Sequence, residues 1–198
     1  MKLVLASDNP NKLREFRELL AGFSVELISK AEAGFTDEVE ETGAAFAQNA
    51  RLKAEAVMRS TGLPAIADDS GLCVDALNGE PGVFSARYTG RHEDSDAARR
   101  ALVLRKLEGR SDRSARFVCS LCCVFPNGDE IVTEQTMEGS ILCEERGEGG
   151  FGYDPIFLPD GYDRSNAELT PEEKNAVSHR GKALRDFVKK WEKYHVDQ

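Results

Sequence analysis

Two adjacent carboxylates at the end of an apolar run are the residues best suited to chemistry. Leu63-Pro64-Ala65-Ile66-Ala67 leads into Asp68-Asp69-Ser70-Gly71. The run reads as a buried strand, and strand ends at the edge of an α/β sheet are where ligands bind. Two aspartates side by side repel and lose hydration unless a cation or a proton sits between them. The pattern points to a divalent-metal site; the competing reading is a polar turn, because Asp-Ser-Gly is ordinary turn chemistry. Glu40-Glu41 precede a helical segment that carries Lys53. An acidic pair there can serve the helix dipole alone. It gains weight beside an Asp pair that needs a cation, since Mg²⁺ prefers one or two carboxylates, several waters and substrate phosphates.

Three further sets carry polar chemistry. Ser7-Asp8-Asn9-Pro10-Asn11-Lys12 lies between a strand and a helix N-terminus, where free amides and the dipole favour anions and Lys12 adds a charge. It lacks the glycines of a P-loop, and a capped helix with a solvated lysine is the plainer alternative. Phe151-Gly152-Tyr153-Asp154 follows the glycine-dense 147–150 loop. An aromatic there can stack on a planar base and the aspartate can accept from a ring N–H or a sugar, or both aromatics can be core anchors. Lys174 and Ser178-His179-Arg180 bring donors for a phosphate or a purine carbonyl, or they open a helix as surface residues. In Phe84-Ser85-Ala86-Arg87-Tyr88, Arg87 is open to pairing near the site or with a neighbouring subunit.

The elements that must position these groups alternate. Lys2–Ala6 reads as a strand. A helix follows to about Leu20, with Leu13, Phe16, Leu19 and Leu20 on one face. Phe23–Ile28 is a second strand. After an acidic loop, Thr42 is the expected N-cap of a helix from Gly43 to about Ser60. A helix from Asp94-Ser95-Asp96 to about Leu107 precedes two strands, Ala115–Phe125 and Glu130–Cys143, joined by Asn127-Gly128, a strong hairpin signal. Ile156–Leu158 is a short strand, Thr170-Pro171-Glu172-Glu173 has the capping-box pattern, and a final helix runs from His179 to about Tyr194. The alternation argues for an α/β fold with a mixed sheet.

The bulk numbers bound the function. A chain of 198 residues, 40% hydrophobic and 31% charged, suits one domain. The net charge of −9 argues against general nucleic-acid binding, yet allows a small phosphorylated ligand in a local cationic pocket. No apolar stretch approaches the ~20 residues of a membrane span, and the N-terminus lacks a signal-peptide pattern, so a cytoplasmic protein is expected. The five cysteines are expected to be reduced. Cys119 and Cys122 have the spacing of a zinc or redox pair, but on a strand they point apart, and core packing is favoured.

Together, Ser7-x-Asn9-x-x-Lys12, Glu40-Glu41-Thr42-Gly43, Ala67–Gly71, Pro81–Tyr88, Gly149–Pro155 and Ser178-His179-Arg180 closely resemble, in order and over nearly the whole chain, the inosine/xanthosine triphosphate pyrophosphatase family. The resemblance implies a single domain over residues 1–198, with an elongated mixed sheet and flanking helices in two lobes around a central cleft, working as a homodimer. The implied reaction is Mg²⁺-dependent hydrolysis of ITP, dITP, XTP and dXTP to the monophosphate and pyrophosphate, with one Mg²⁺ per subunit. Asp69 would activate the attacking water. Glu40, Glu41, Asp68 and Asp69 form the implied metal set. Ser7, Asp8, Asn9, Pro10, Asn11, Lys12, Lys53 and Ser70 would hold the triphosphate, and Phe151, Gly152, Tyr153, Asp154, Lys174, His179 and Arg180 the base and sugar. Ser7 stands where many members carry threonine. A pyrophosphatase of different base preference, a catalytically silent nucleotide-binding module and an aspartyl-phosphate phosphatase are the alternatives. The last needs an Asp-x-Asp spacing that is missing here.

Overall fold

The computed structural model describes residues 2–23, 25–91 and 93–196. The elements are β1 (Lys2–Leu5), α1 (Pro10–Leu20), β2 (Glu26–Ser29), α2 (Phe46–Thr61), β3 (Ala65–Val74), α3 (Asp96–Lys106), β4 (Ser114–Val124), β5 (Glu130–Ile141), β6 (Phe157–Pro159), α4 (Pro171–Val177) and α5 (His179–Val196). They build one mixed sheet of order β2-β1-β3-β4-β5-β6. β1 is parallel to both β2 and β3, with Val4 opposite Ala65, and β5 is antiparallel to β6. The chain divides into two units, the first comprising Met1–Asp69, Cys119–Gln135 and Arg180–Gln198, the second Ser70–Val118 and Thr136–His179. No described helix is long and apolar enough to cross a membrane.

In the first unit β1 and the 65–67 run of β3 are buried on both faces, which is why they read as continuous apolar runs. Leu3, Leu5, Ile66, Cys119, Leu121 and Cys123 pack with Phe16 and Leu20 of α1 and with Leu184, Phe187 and Trp191 of α5. The alternate residues Val4, Ala65, Ala67, Cys122 and Val124 pack with Ala50, Ala54 and Val57 of α2. Helices therefore cover both sides, and Cys119 and Cys122 belong to opposite cores, as the strand period requires. No disulfide joins any of the five cysteines. The second unit has its own core, in which Leu72, Val74, Val103, Leu107 and Phe117 meet Met137, Ile141, Tyr153 and Phe157.

Several boundaries differ from the sequence reading. β3 does not end at Asp68-Asp69; it continues to Val74, because Leu72 and Val74 have a core of their own to enter. Thr42 does not cap α2. The helix begins at Phe46 after Ala45, and the preceding amides are satisfied from inside the helix, Gly43 N donating to Asn49 Oδ1 at 2.8 Å and Ala44 N to Gln48 Oε1 at 2.9 Å. β2 begins at Glu26; Ser24, within the expected strand, lies outside the described residues. A short 3₁₀ turn over Asp154–Ile156 delays β6 to Phe157. The capping box at Thr170 forms with both of its hydrogen bonds.

Candidate functional site

Asp68 and Asp69 are successive strand residues and so point to opposite faces of β3. That alternation gives the two carboxylates different surroundings. Asp68 follows Ile66 toward the α1/α5 side. Its Oδ1 lies 3.0 Å from Lys12 Nζ, and its Oδ2 lies 3.4 Å from the Arg180 guanidinium, which also grips Glu15 of α1. Burial alone would push the Asp68 carboxyl up, but Lys12, Arg180 and Lys53 outweigh it and hold Asp68 well below the usual carboxylate range. Asp68 is thus a permanent anion locked to two cations.

Asp69 follows Ala67 toward α2. Its Oδ2 accepts from Asn49 Nδ2 at 3.1 Å and its Oδ1 lies 3.4 Å from Lys53 Nζ. The same ammonium meets Glu41 Oε1 at 2.6 Å. Asn49 and Lys53 are one helical turn apart and present one face to the strand. Burial raises the Asp69 carboxyl, with Glu41 adding to the rise and Lys53 and Asn49 opposing it. Burial works against the charge on Lys53, yet Asp69, Asp68 and Glu41 together keep its ammonium above the ordinary lysine value. A carboxylate of raised proton affinity beside a permanently charged lysine is suited to taking a proton from water.

The β1–α1 turn is more self-contained than its sequence implies. Asn9 is the N-cap of α1; its Oδ1 accepts from the amides of Asn11 at 2.9 Å and Lys12 at 3.3 Å. Ser7 Oγ accepts from Asn9 N. Those first-turn amides are therefore already occupied, and attraction for an anion there comes from the helix dipole and Lys12. Pro10 is the first helical residue, and the Asn11 side chain accepts from Arg14. Asp8 pairs with Lys30 at 2.6 Å, and the Lys30 ammonium also donates to Asp37 O at 3.1 Å. Glu40 is exposed, whereas Glu41 is half-buried in the cluster.

A second group forms in the second unit around Asp154. Its Oδ1 accepts from Asn166 Nδ2 at 2.6 Å; its Oδ2 accepts from Phe151 N at 2.8 Å and from Lys174 Nζ at 2.9 Å. The Lys174 ammonium sits over the Phe151 ring, 4.7 Å from its centroid. Both Asp154 oxygens thus accept hydrogen bonds from the protein, and Asp154 holds Phe151 and Lys174 in place. Gly150 allows this: it has φ +70°, and a Cβ there would come within 2.1 Å of Asp154 Oδ2. Gly152 N donates to Asp96 Oδ2. Tyr153 is a core residue whose hydroxyl donates to Ser85 O at 2.8 Å. His179 is buried and stacked on Phe117, with centroids 4.9 Å apart, while Ser70 is half-buried where β3 enters the second unit. His179 and Arg180 are thus not surface residues, and Arg180 groups with Asp68 and Glu15.

Among the described residues, no three carboxylate, imidazole or thiol groups converge closely enough to hold a metal ion. The donor chemistry nevertheless fits a hard cation. Glu41 and Asp69 already converge on the one ammonium of Lys53, and an ion that takes few protein ligands and completes its shell with water and phosphate oxygens suits such a pair. Glu15, Lys30, Asn49 and Asn166 escaped the sequence reading. The i, i+3 and i, i+4 spacings Lys12–Glu15 and Asn49–Lys53 are the signals that could have found two of them.

Known proteins resemble this chain over nearly its whole length. The family model described as the Ham1 family matches residues 3–190. A protein of Frankia alni named dITP/XTP pyrophosphatase is 52% identical over 196 residues, covering 95% of this chain and 96% of that protein. The structure of a HAM1 protein from Coxiella burnetii has a TM-score of 0.90 at 45% identity, covering 98% of this chain and 99% of that one. The Staphylococcus aureus Ham1 protein has a TM-score of 0.89 at 40% identity, covering 98% and 100%. With its motifs, mixed sheet and both side-chain groups inside the matched region, the chain belongs to the Ham1 family.

Proposed function

We propose that this chain is a nucleoside triphosphate pyrophosphatase that hydrolyses dITP, ITP, XTP and dXTP to the monophosphate and pyrophosphate. The observation that carries the proposal is the Asp69 cluster: a buried carboxylate of raised proton affinity, oriented by Asn49 and flanked by Lys53 and Glu41. Asp69 takes the proton of the water that attacks the α-phosphorus. Lys53 and Lys12 neutralise phosphate charge, and breakage of the α–β bond releases pyrophosphate as one unit. Glu41 and Asp69 would hold a divalent ion, for which we take Mg²⁺, and that ion would neutralise phosphate charge and acidify water. Asp68 acts by fixing Lys12 and Arg180.

In the second unit Phe151 offers a ring face for a purine, and Lys174 offers a donor suited to a 6-oxo group. Adenine presents an amine at that position and leaves such a donor unmatched. A site built to hydrogen-bond one pattern can reject the other by ~10⁴ or more. The homodimer and the cytoplasmic setting belong to the same reading and are supported by the sequence resemblance. A panel of nucleoside triphosphates, with pyrophosphate and orthophosphate measured separately, tests the proposal. Inosine and xanthosine triphosphates should exceed ATP in kcat/KM by about a hundredfold or more, with pyrophosphate as the product. Equal rates on ATP, or orthophosphate as the first product, would overturn it.

A further inference from the structure

Asn49 is fully buried on the α2 face that otherwise carries Ala50, Ala54 and Val57. A buried amide on such a face is costly unless both of its ends are satisfied. Both are. The Nδ2 end donates to Asp69 Oδ2 at 3.1 Å, and the Oδ1 end accepts from Gly43 N at 2.8 Å. Turning the amide over would set its oxygen against the Asp69 carboxylate and its NH₂ against the Gly43 N–H, so the two partners fix its orientation. Gly43 is part of the same fit, since a Cβ there would come within 2.6 Å of Asn49 Oδ1. Gly43 follows Glu41 by two residues, so one side chain links the strand carrying Asp69 to the loop carrying Glu41.

We propose that Asn49 is a positioning residue for hydrolysis, aiming the Asp69 carboxylate at its water and holding the Glu41 loop in register with it. The inference rests on the reading of Asp69 as the base. Asn49 itself touches no reacting atom and works through Asp69. A purely structural Asn49 would fasten the Gly43 loop and nothing more, and that role needs only its oxygen.

Two substitutions separate the roles. Asn49→Asp keeps the acceptor for Gly43 N and sets a carboxyl oxygen in place of the amide donor to Asp69. Asn49→Leu removes both ends. In pyrophosphate release from ITP, both variants should lose about ten- to a hundredfold in kcat, the worth of one hydrogen bond to a charged group, with KM within about twofold, as for an interaction realised in the transition state. Thermal melting of Asn49→Asp verifies that the fold survives. In an Asp69→Asn background, Asn49→Asp, which keeps the acceptor for Gly43 N, should cost little further, because the group it aims is gone. Retention of wild-type kcat by Asn49→Asp would overturn the inference, as would a loss that adds in full to that of Asp69→Asn. Substantial turnover by Asp69→Asn alone would instead strike the assignment of the base, so the two failures are distinguishable.

Discussion

Replacing Arg180 with leucine removes the guanidinium paired with Glu15 and with Asp68, leaving Lys12 beside Asp68. The Arg180 guanidinium is 4% exposed, and the Asp68 side chain is wholly buried. Breaking a buried ion pair by deleting one partner costs about 3–5 kcal/mol. Lys12 stays 3.0 Å from Asp68 and offsets part of that loss. At about 2–4 °C per kcal/mol for a chain of this size, the melting temperature should fall by about 6–20 °C. The pH dependence gives a second readout. The folded value of Asp68 lies below its ordinary 3.8, so its stabilisation is complete above that ordinary value and is lost only as pH falls through the lower folded value. In Arg180→Leu the carboxyl takes up a proton earlier. The gap in melting temperature between the two proteins should therefore narrow from about pH 7 to about pH 4. Circular dichroism melts at both pH values measure it. A fall of less than about 2 °C at neutral pH, or a gap that widens in acid, would refute the assignment of Arg180 to a buried ion network.

Glu41→Gln should raise the Mg²⁺ concentration needed for half-maximal activity by about tenfold or more, while Glu40→Gln should shift it less than about twofold; metal titrations of ITP hydrolysis compare them. Lys174→Met should raise KM for ITP by about tenfold and leave kcat/KM for ATP nearly unchanged, narrowing the discrimination between them in paired assays. Gly150→Ala should destabilise the protein by about 1–3 kcal/mol, since the new methyl both strains a left-handed residue and displaces Asp154; denaturant melts read this directly.

Local chemistry made much of the fold legible. Asn9-Pro10 marked the start of α1, the capping box marked α4, and Asn127-Gly128 marked the turn between β4 and β5. The apolar runs 3–5 and 65–67 read as strands, and the structure buries both. What escaped depended on partners distant in sequence. Asp68-Asp69 ended a strand on local evidence, because acidic residues inside a strand make sense only once Lys12, Arg180, Asn49 and Lys53 are brought to either face. Thr42 was the natural cap by residue type, yet Asn49 and Gln48 reach back to supply the acceptors for amides 43 and 44. Asp154 read as a ligand-facing acceptor, and its hydrogen bonds from Asn166, Phe151 and Lys174 could not be read from local sequence. Residue types thus marked where charge gathers, and tertiary pairing decided which charges stay available for chemistry.

The central claim is that Asp69 drives attack at the α-phosphorus. The most direct measurement is the product ratio from dITP for the wild-type chain and for Asp69→Asn, with dIMP, pyrophosphate and orthophosphate quantified together. The account predicts dIMP and pyrophosphate in equal amounts from the wild type. It predicts a rate lower by about a hundredfold or more in Asp69→Asn with dITP affinity nearly unchanged. Orthophosphate and dIDP as the first products, or near wild-type pyrophosphate release by Asp69→Asn, would contradict it.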